Sequence, residues 1–169
     1  MSQGVKVQLV ERDNGFERAM KATLELGELA ALVGIFEGSV MGMFGKDVPP
    51  SKIDYPIALY GGLHEFGSDG GKVPEKAWMR KGLDKNRADY DRLRASLLAM
   101  VQDGRLTPEK ALQSLGVRAQ KDIRESVEFV NWTNSKGEPV SGLVDTTALR
   151  NSIQVEVRKG ERVVIGRTR

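Results

Sequence analysis

The hydrophobic period of this chain changes along its length, and that change limits the fold more than any other feature. From Glu75 to Val127 apolar residues recur every three or four positions. Leu83, Tyr90, Leu93, Leu97 and Val101 form one stripe, and Ala111, Leu112, Leu115, Ala119, Ile123 and Val127 form a second. That spacing belongs to amphipathic helices. Outside this block the period falls to two. Val5, Val7 and Leu9 alternate with Lys6 and Gln8, and Ile153, Val155 and Val157 alternate with Gln154, Glu156 and Arg158, the pattern of half-buried strands. Helices in the middle with strands toward both ends predict an α+β domain. It should have a small, mostly antiparallel sheet of about four strands, packed with helices that include a long αα-hairpin.

The punctuation agrees with this layout. Asp13 or Asn14 can cap a helix carrying Phe16, Ala19, Met20, Thr23 and Leu24, and Gly27 is a stop. "LAALVGIF", Leu29 to Phe36, is apolar at both parities and reads as a strand covered on both faces, with a short helix as the competing reading. "IALYGGLHEFG" has the spacing of a short helix weakened by two adjacent glycines, and "SDGGKVP" is turn chemistry. The chain turns helical from Glu75, and Asp103–Gly104 ends that helix. Thr107 then stands as N-cap before Pro108 at the first helical position. Lys159–Gly160 marks a tight turn into a return strand, Val163 to Ile165. The terminal "GRTR" reads as a frayed tail or as an arm that reaches a neighbour. Residues 1–169 form a single domain on this reading, with long loops near 37–56 and 131–142.

Composition narrows the classes of function. Hydrophobic residues make up 40% and charged residues 29%, a globular balance. With no cysteine there is no disulfide, thiolate zinc site or cysteine nucleophile. No apolar run approaches the ~20 residues of a membrane helix, and "MSQGVKVQLVERD" lacks a signal-peptide layout, so the expected compartment is cytosol-like. The net charge is only +3. Around Lys76, Arg80, Lys81, Lys85 and Arg87 the basic residues are interspersed with Glu75, Asp84 and Asp89, as on a solvated helix face.

One segment invites a chemical reading. "LYGGLHEFGSDGG", Leu59 to Gly71, holds the only histidine, His64, directly before Glu65. A zinc hydrolase would need H-E-x-x-H, and here "FGS" follows the pair with no second histidine anywhere. A phosphate loop would need G-x-x-x-x-G-K-[ST]. Gly71–Lys72 has Phe66 where the first glycine belongs and Val73 where the hydroxyl belongs, and Gly45–Lys46 fails in the same way with Val40 and Asp47. No G-x-G-x-x-G or G-x-S-x-G occurs. A histidine packed beside a turn is the simpler reading. "VPEKAWMR", Val73 to Arg80, presents Trp78 and Met79 after a turn. At least one of them should insert into the core, while aromatic and methionine side chains are also enriched at interfaces.

Taken in order, "ALVGIFEG", "IALYGGLHEFGS", "VPEKAWMRKGLDK" and "GLVDTTALRNSIQVEV" resemble the landmarks of the tailed-bacteriophage neck and tail-completion proteins, the virion morphogenesis family. The resemblance spans roughly residues 29 to 158 and rests on four ordered motifs, each weak alone. There are departures. Ala58 is out of the family's usual spacing, Lys76 and Ala77 stand where arginine and proline are common, Trp78 replaces phenylalanine, and Thr147 replaces a glycine.

The resemblance implies a structural virion protein, not an enzyme, with no cofactor, metal or small-molecule substrate. It would form a homo-oligomeric ring of six or twelve copies at the head–tail junction. That ring would join portal-side adaptor or head-closure proteins to tail tube or terminator proteins, beside packaged DNA in the lumen and away from any membrane. The chain would be made in the bacterial cytoplasm. The structural and interface candidates are Glu65, Phe66, Gly67, Trp78, Met79, Arg80, Asp145, Thr146, Leu149 and Arg150. Phe66 would anchor in the core, Gly67 would take a conformation that side chains disfavour, and Asp145 and Thr146 would cap a helix carrying Leu149 and Arg150. The alternatives are a DNA-binding accessory protein of morphogenesis, motivated by the basic helix, and a hydrolase using His64 and Glu65.

Overall fold

The computed structural model describes residues 15–36, 57–129 and 143–168. The expected strand Val5–Leu9, the proposed caps Asp13 and Asn14, and the loops near 37–56 and 131–142 lie outside the described residues. Among the described residues nine elements follow one another: α1 (Phe16–Gly27), β1 (Leu29–Ile35), α2 (Ile57–Phe66), α3 (Trp78–Lys85), α4 (Arg87–Gln102), α5 (Pro108–Phe129), α6 (Leu143–Ser152), β2 (Ile153–Lys159) and β3 (Arg162–Thr168). The class is α+β. Among the described residues the sheet has three strands in the order β1-β2-β3, antiparallel throughout.

Several boundaries fall where local chemistry puts them. α1 stops at Gly27. Gly104 follows α4 with φ +73, and Thr107 Oγ1 accepts the Lys110 N–H at 3.4 Å one turn into α5. Lys159 pairs with Arg162 across a two-residue turn at Gly160–Glu161, with Gly160 at φ +55, a left-handed conformation that favours glycine.

α5 lies across the sheet and defines the core side. Gly116 makes that approach: a Cβ there would sit 2.5 Å from Val155 Cγ1. Ile153, Val155 and Val157, alternate residues of β2, are all buried. The main cluster joins Ile153 to Ile57, Trp78, Ile123, Val127 and Leu149. Gln120, buried on α5, donates to the Ile153 carbonyl at 2.7 Å and ties the helix to the start of β2.

Four expectations require correction. β1 is covered on one face only, since Ala30 and Leu32 are exposed between half-buried neighbours. The helix expected from Glu75 begins at Trp78 and breaks at Asn86, whose Nδ2 donates to the Gly82 carbonyl at 2.9 Å. The break lets α3 pack on α5 through Gly82, where a Cβ would meet the Asp122 carbonyl and Ser126 Cβ at 3.0 Å. α4 still forms an αα-hairpin with α5. Tyr90 O–H donates to buried Asp122 at 2.7 Å and Arg118 Nε donates to the same carboxylate at 2.9 Å. Burial, then the bond to Asp122, raises the Tyr90 pKa well above the usual phenol value.

The third correction is at the C-terminus. Gly166 to Thr168 of "GRTR" do not fray, because β3 runs through Thr168; Arg169 lies outside the described residues. Arg167 Nε donates to Glu156 at 2.9 Å, and its guanidinium lies 5.2 Å from the centre of the Phe36 ring. The fourth is at the start of α6. The helix begins at Leu143, so Asp145 and Thr146 lie inside its first turn and do not precede it as caps.

Candidate functional site

α2 presents Ile57, Gly61 and Glu65 to the interior, one residue per turn. The carboxylate of Glu65 therefore points inward, and the residue is only 4% exposed. A buried carboxylate requires partners, and they come from the start of α3. Glu65 Oε2 accepts the Met79 N–H at 2.7 Å, and Oε1 accepts the Arg80 N–H at 3.2 Å and Arg80 Nε at 2.8 Å. Met79 and Arg80 are the second and third residues of α3, whose amides an N-cap side chain ordinarily satisfies. Ala77 precedes the helix in the left-handed region at φ 48 and has no side chain to do this. Glu65 supplies the cap from another helix, and its charge suits the positive helix end.

The α2 terminus is satisfied in return. Lys76 N–H donates to the His64 carbonyl at 2.8 Å, Ala77 N–H to the Glu65 carbonyl at 3.2 Å, and Arg80 Nη2 to the same carbonyl at 2.9 Å. Arg80 Nη2 also reaches Glu75 at 2.7 Å. The hydrogen bond to Glu65, with the one to Glu75, raises the Arg80 pKa above the ordinary guanidinium value.

The link between the two helices is built around glycine. Gly67 has φ +78, and a Cβ there would lie 3.1 Å from the Val73 carbonyl oxygen. Ser68 N–H donates to the Val73 carbonyl at 3.0 Å, while Val73 N–H donates to Ser68 Oγ at 2.8 Å. Trp78 closes the joint from below. It is 1% exposed, and its indole N–H donates to the Gly61 carbonyl at 3.1 Å. Gly61 is required for this contact, because a Cβ would meet Ile35 Cδ1 at 2.9 Å and Leu149 Cδ1 at 3.1 Å. The paired glycines that weaken α2 locally are thus explained at Gly61 by packing.

Of the expected residues, Glu65, Gly67, Trp78, Met79 and Arg80 meet in this joint, and Leu149 touches it through the core. Phe66 does not anchor in the core. It is 70% exposed, and the Arg80 guanidinium lies 5.2 Å from the centre of its ring. The reason is helical phase: the inward stripe is Ile57, Gly61 and Glu65, and Phe66 stands about 100° away from it. Trp78, one helix later, is the anchor instead. Arg150 is remote and pairs with Glu128 on α5. Glu75 and Gly61 are members that the motif reading missed. "VPEKAWMR" contains Glu75, five residues before Arg80, but only the turn brings the two together.

His64 packs edge-on against Tyr60, ring centres 4.6 Å apart. Among the described residues no group of three or more histidine, aspartate or glutamate side chains is placed to hold a metal ion. The chemistry of the joint is that of a rigid clasp: its charges are committed to helix ends and to one another. Comparison with family models, curated proteins and solved structures finds no match.

Proposed function

We propose that this chain is a structural virion protein that forms a ring at the head–tail junction of a tailed bacteriophage, as neck or tail-completion component. The observation that carries the reading is the clasp itself. "HEFGS" and "PEKAWMR", two of the four ordered landmarks, lock together through Glu65, Met79 and Arg80. Their most distinctive groups serve architecture, as a family of assembly proteins would require. Exposed apolar side chains on α1 and unpaired outer edges on β1 and β3 among the described strands support a chain that associates with neighbours.

The DNA-binding alternative has weaker support. On the basic helix that motivates it, Arg80 pairs with Glu65 and Glu75, and further along Arg92 pairs with Asp89 and Arg94 with Asp91, so acidic side chains are interleaved with the basic ones.

Mass spectrometry of purified virions, with a reconstruction of the head–tail junction, tests the proposal. The chain should be found in stoichiometric amounts and trace into a ring between portal and tail. A chain missing from particles that have joined heads and tails sinks the reading.

A further inference from the structure

The two outer strands of the sheet differ in how they meet solvent. β3 carries Arg162 and Arg167 near its ends, and its pairing with β2 is interrupted by register shifts. Charges and bulges of this kind keep a strand edge from pairing further. β1 has neither. Its sequence, LAALVGI, holds no charge and no proline, and it pairs with β2 in unbroken register from Leu29–Lys159 to Ile35–Ile153. Among the described residues its other edge is open. β1 thus has the composition of an inner strand.

The two faces of β1 define what fits beside it. Ala31, Val33 and Ile35 stand opposite the buried residues Val157, Val155 and Ile153, on the side of α5. Ala30 and Leu32 are exposed on the other face. A neighbouring strand must therefore alternate, apolar toward the helices and polar toward water. Val5, Val7 and Leu9 alternate with Lys6 and Gln8 in that manner.

Connectivity fixes direction and register. α5 runs along β1 in the same sense, from Gly116 near Ala31 to Gln120 on the carbonyl of Ile153, the partner of Ile35. α1 runs the same way: Arg18 lies against Gly104, ahead of α5, and Leu26 lines one cavity with Leu112 and Leu115. The start of α1 is therefore set back from Leu29 by the length of the helix, ~18 Å. From Leu9 to Gly15 an extended chain reaches at most ~21 Å. A strand ending at Leu9 meets β1 at its Leu29 end and runs antiparallel to it. Matching the apolar faces places Leu9 opposite Leu29, Val7 opposite Ala31 and Val5 opposite Val33. A register two residues farther along β1 adds ~7 Å and exceeds that reach.

We infer that residues 5–9 of the same chain add to the open edge of β1 as an antiparallel strand in this register. The inference goes beyond the ring reading and does not rest on it. With β1 covered, the edge of β3 and the exposed side chains of α1 remain for neighbours.

The absence of native cysteine makes the test direct. Gln8 and Ala30 would face each other on the solvated side of the sheet, at the ~4.5–5.5 Å Cα separation of opposed antiparallel residues, within disulfide range. Full-length Gln8→Cys/Ala30→Cys and the diagonal pair Gln8→Cys/Leu32→Cys are mildly oxidised at low concentration, and the products are identified by peptide mass spectrometry. The opposed pair should close a disulfide within one chain about tenfold faster than the diagonal pair. Equal rates, no link within the chain, or a link between two chains as the main product overturns the inference, the last by placing a second copy on the edge. Hydrogen exchange of the unmodified chain is an independent measurement that needs no substitution. With both edges of β1 paired, successive β1 amides should exchange within about tenfold of one another. Fast exchange at every second β1 amide overturns the inference.

Discussion

The carboxylate of Glu65 accepts the backbone N–H of Met79 at 2.7 Å, so a residue near the end of one helix caps the start of another fourteen positions later. This bond and the two from Arg80 couple α2 to α3 without an intervening element. Glu65→Ala leaves two part-buried helix-end amides without their acceptor. It should destabilise the fold by about 2–3 kcal/mol, read as a lower denaturation midpoint. Glu65→Gln keeps one acceptor oxygen and should lose less. Equal stability of Glu65→Ala and the unmodified chain would remove the clasp from the account.

Two helical glycines should respond in opposite directions. Gly116→Ala places a methyl group 2.5 Å from Val155 Cγ1, and forcing α5 from the sheet should cost about 1–3 kcal/mol. Gly62→Ala meets nothing within 4 Å and should stabilise α2 by up to ~1 kcal/mol through helix propensity. Chemical denaturation of both variants checks the pair, and the contrast in sign is the expected result.

Trp78→Phe keeps most of the buried ring area but removes the indole N–H that donates to the Gly61 carbonyl. It should cost about 1–3 kcal/mol from the lost buried hydrogen bond and the lost volume. Thermal unfolding followed by far-ultraviolet circular dichroism measures this, because the substitution removes one of the two tryptophans.

Glu156 sets an acid limit on stability. The hydrogen bond from Arg167, then that from Arg158, holds its pKa below the ordinary glutamate value of 4.5. Below that value the unfolded chain takes up a proton that the folded chain resists, so unfolding becomes more favourable as pH falls. The contribution is fully present above about pH 4.5 and is lost as pH drops through the lower folded-state value. Denaturation midpoints between pH 7 and pH 3 should fall less steeply for Glu156→Gln than for the unmodified chain. Parallel curves would argue against the pairing.

Much of the architecture was legible in the residues. The period-two run at Ile153–Val157, the Gly160 turn, the Thr107–Pro108 helix start and the Gly27 stop each appear where expected. Such signals act within a few residues, through backbone conformation and nearby hydrogen bonds. The positive φ at Gly67 also follows from its place after a helix. The clasp was legible only in part. Its two segments could be picked out, but their contact could not.

Local pattern determined the α+β class and most of the described helix and strand segments, because those depend on short-range spacing and propensity. Only the tertiary structure decided that Glu65 is buried while Phe66 is exposed, that the expected helix divides at Asn86, and that Glu156 lies covered on the outer sheet face. Periodicity assigns a residue to a face but does not say what covers it. Arg80 covers Glu65, Arg158 and Arg167 cover Glu156, and α5 presses on Gly82. Apart from Arg158, each covering group comes from eleven or more residues away in sequence, where only the folded chain brings it into contact.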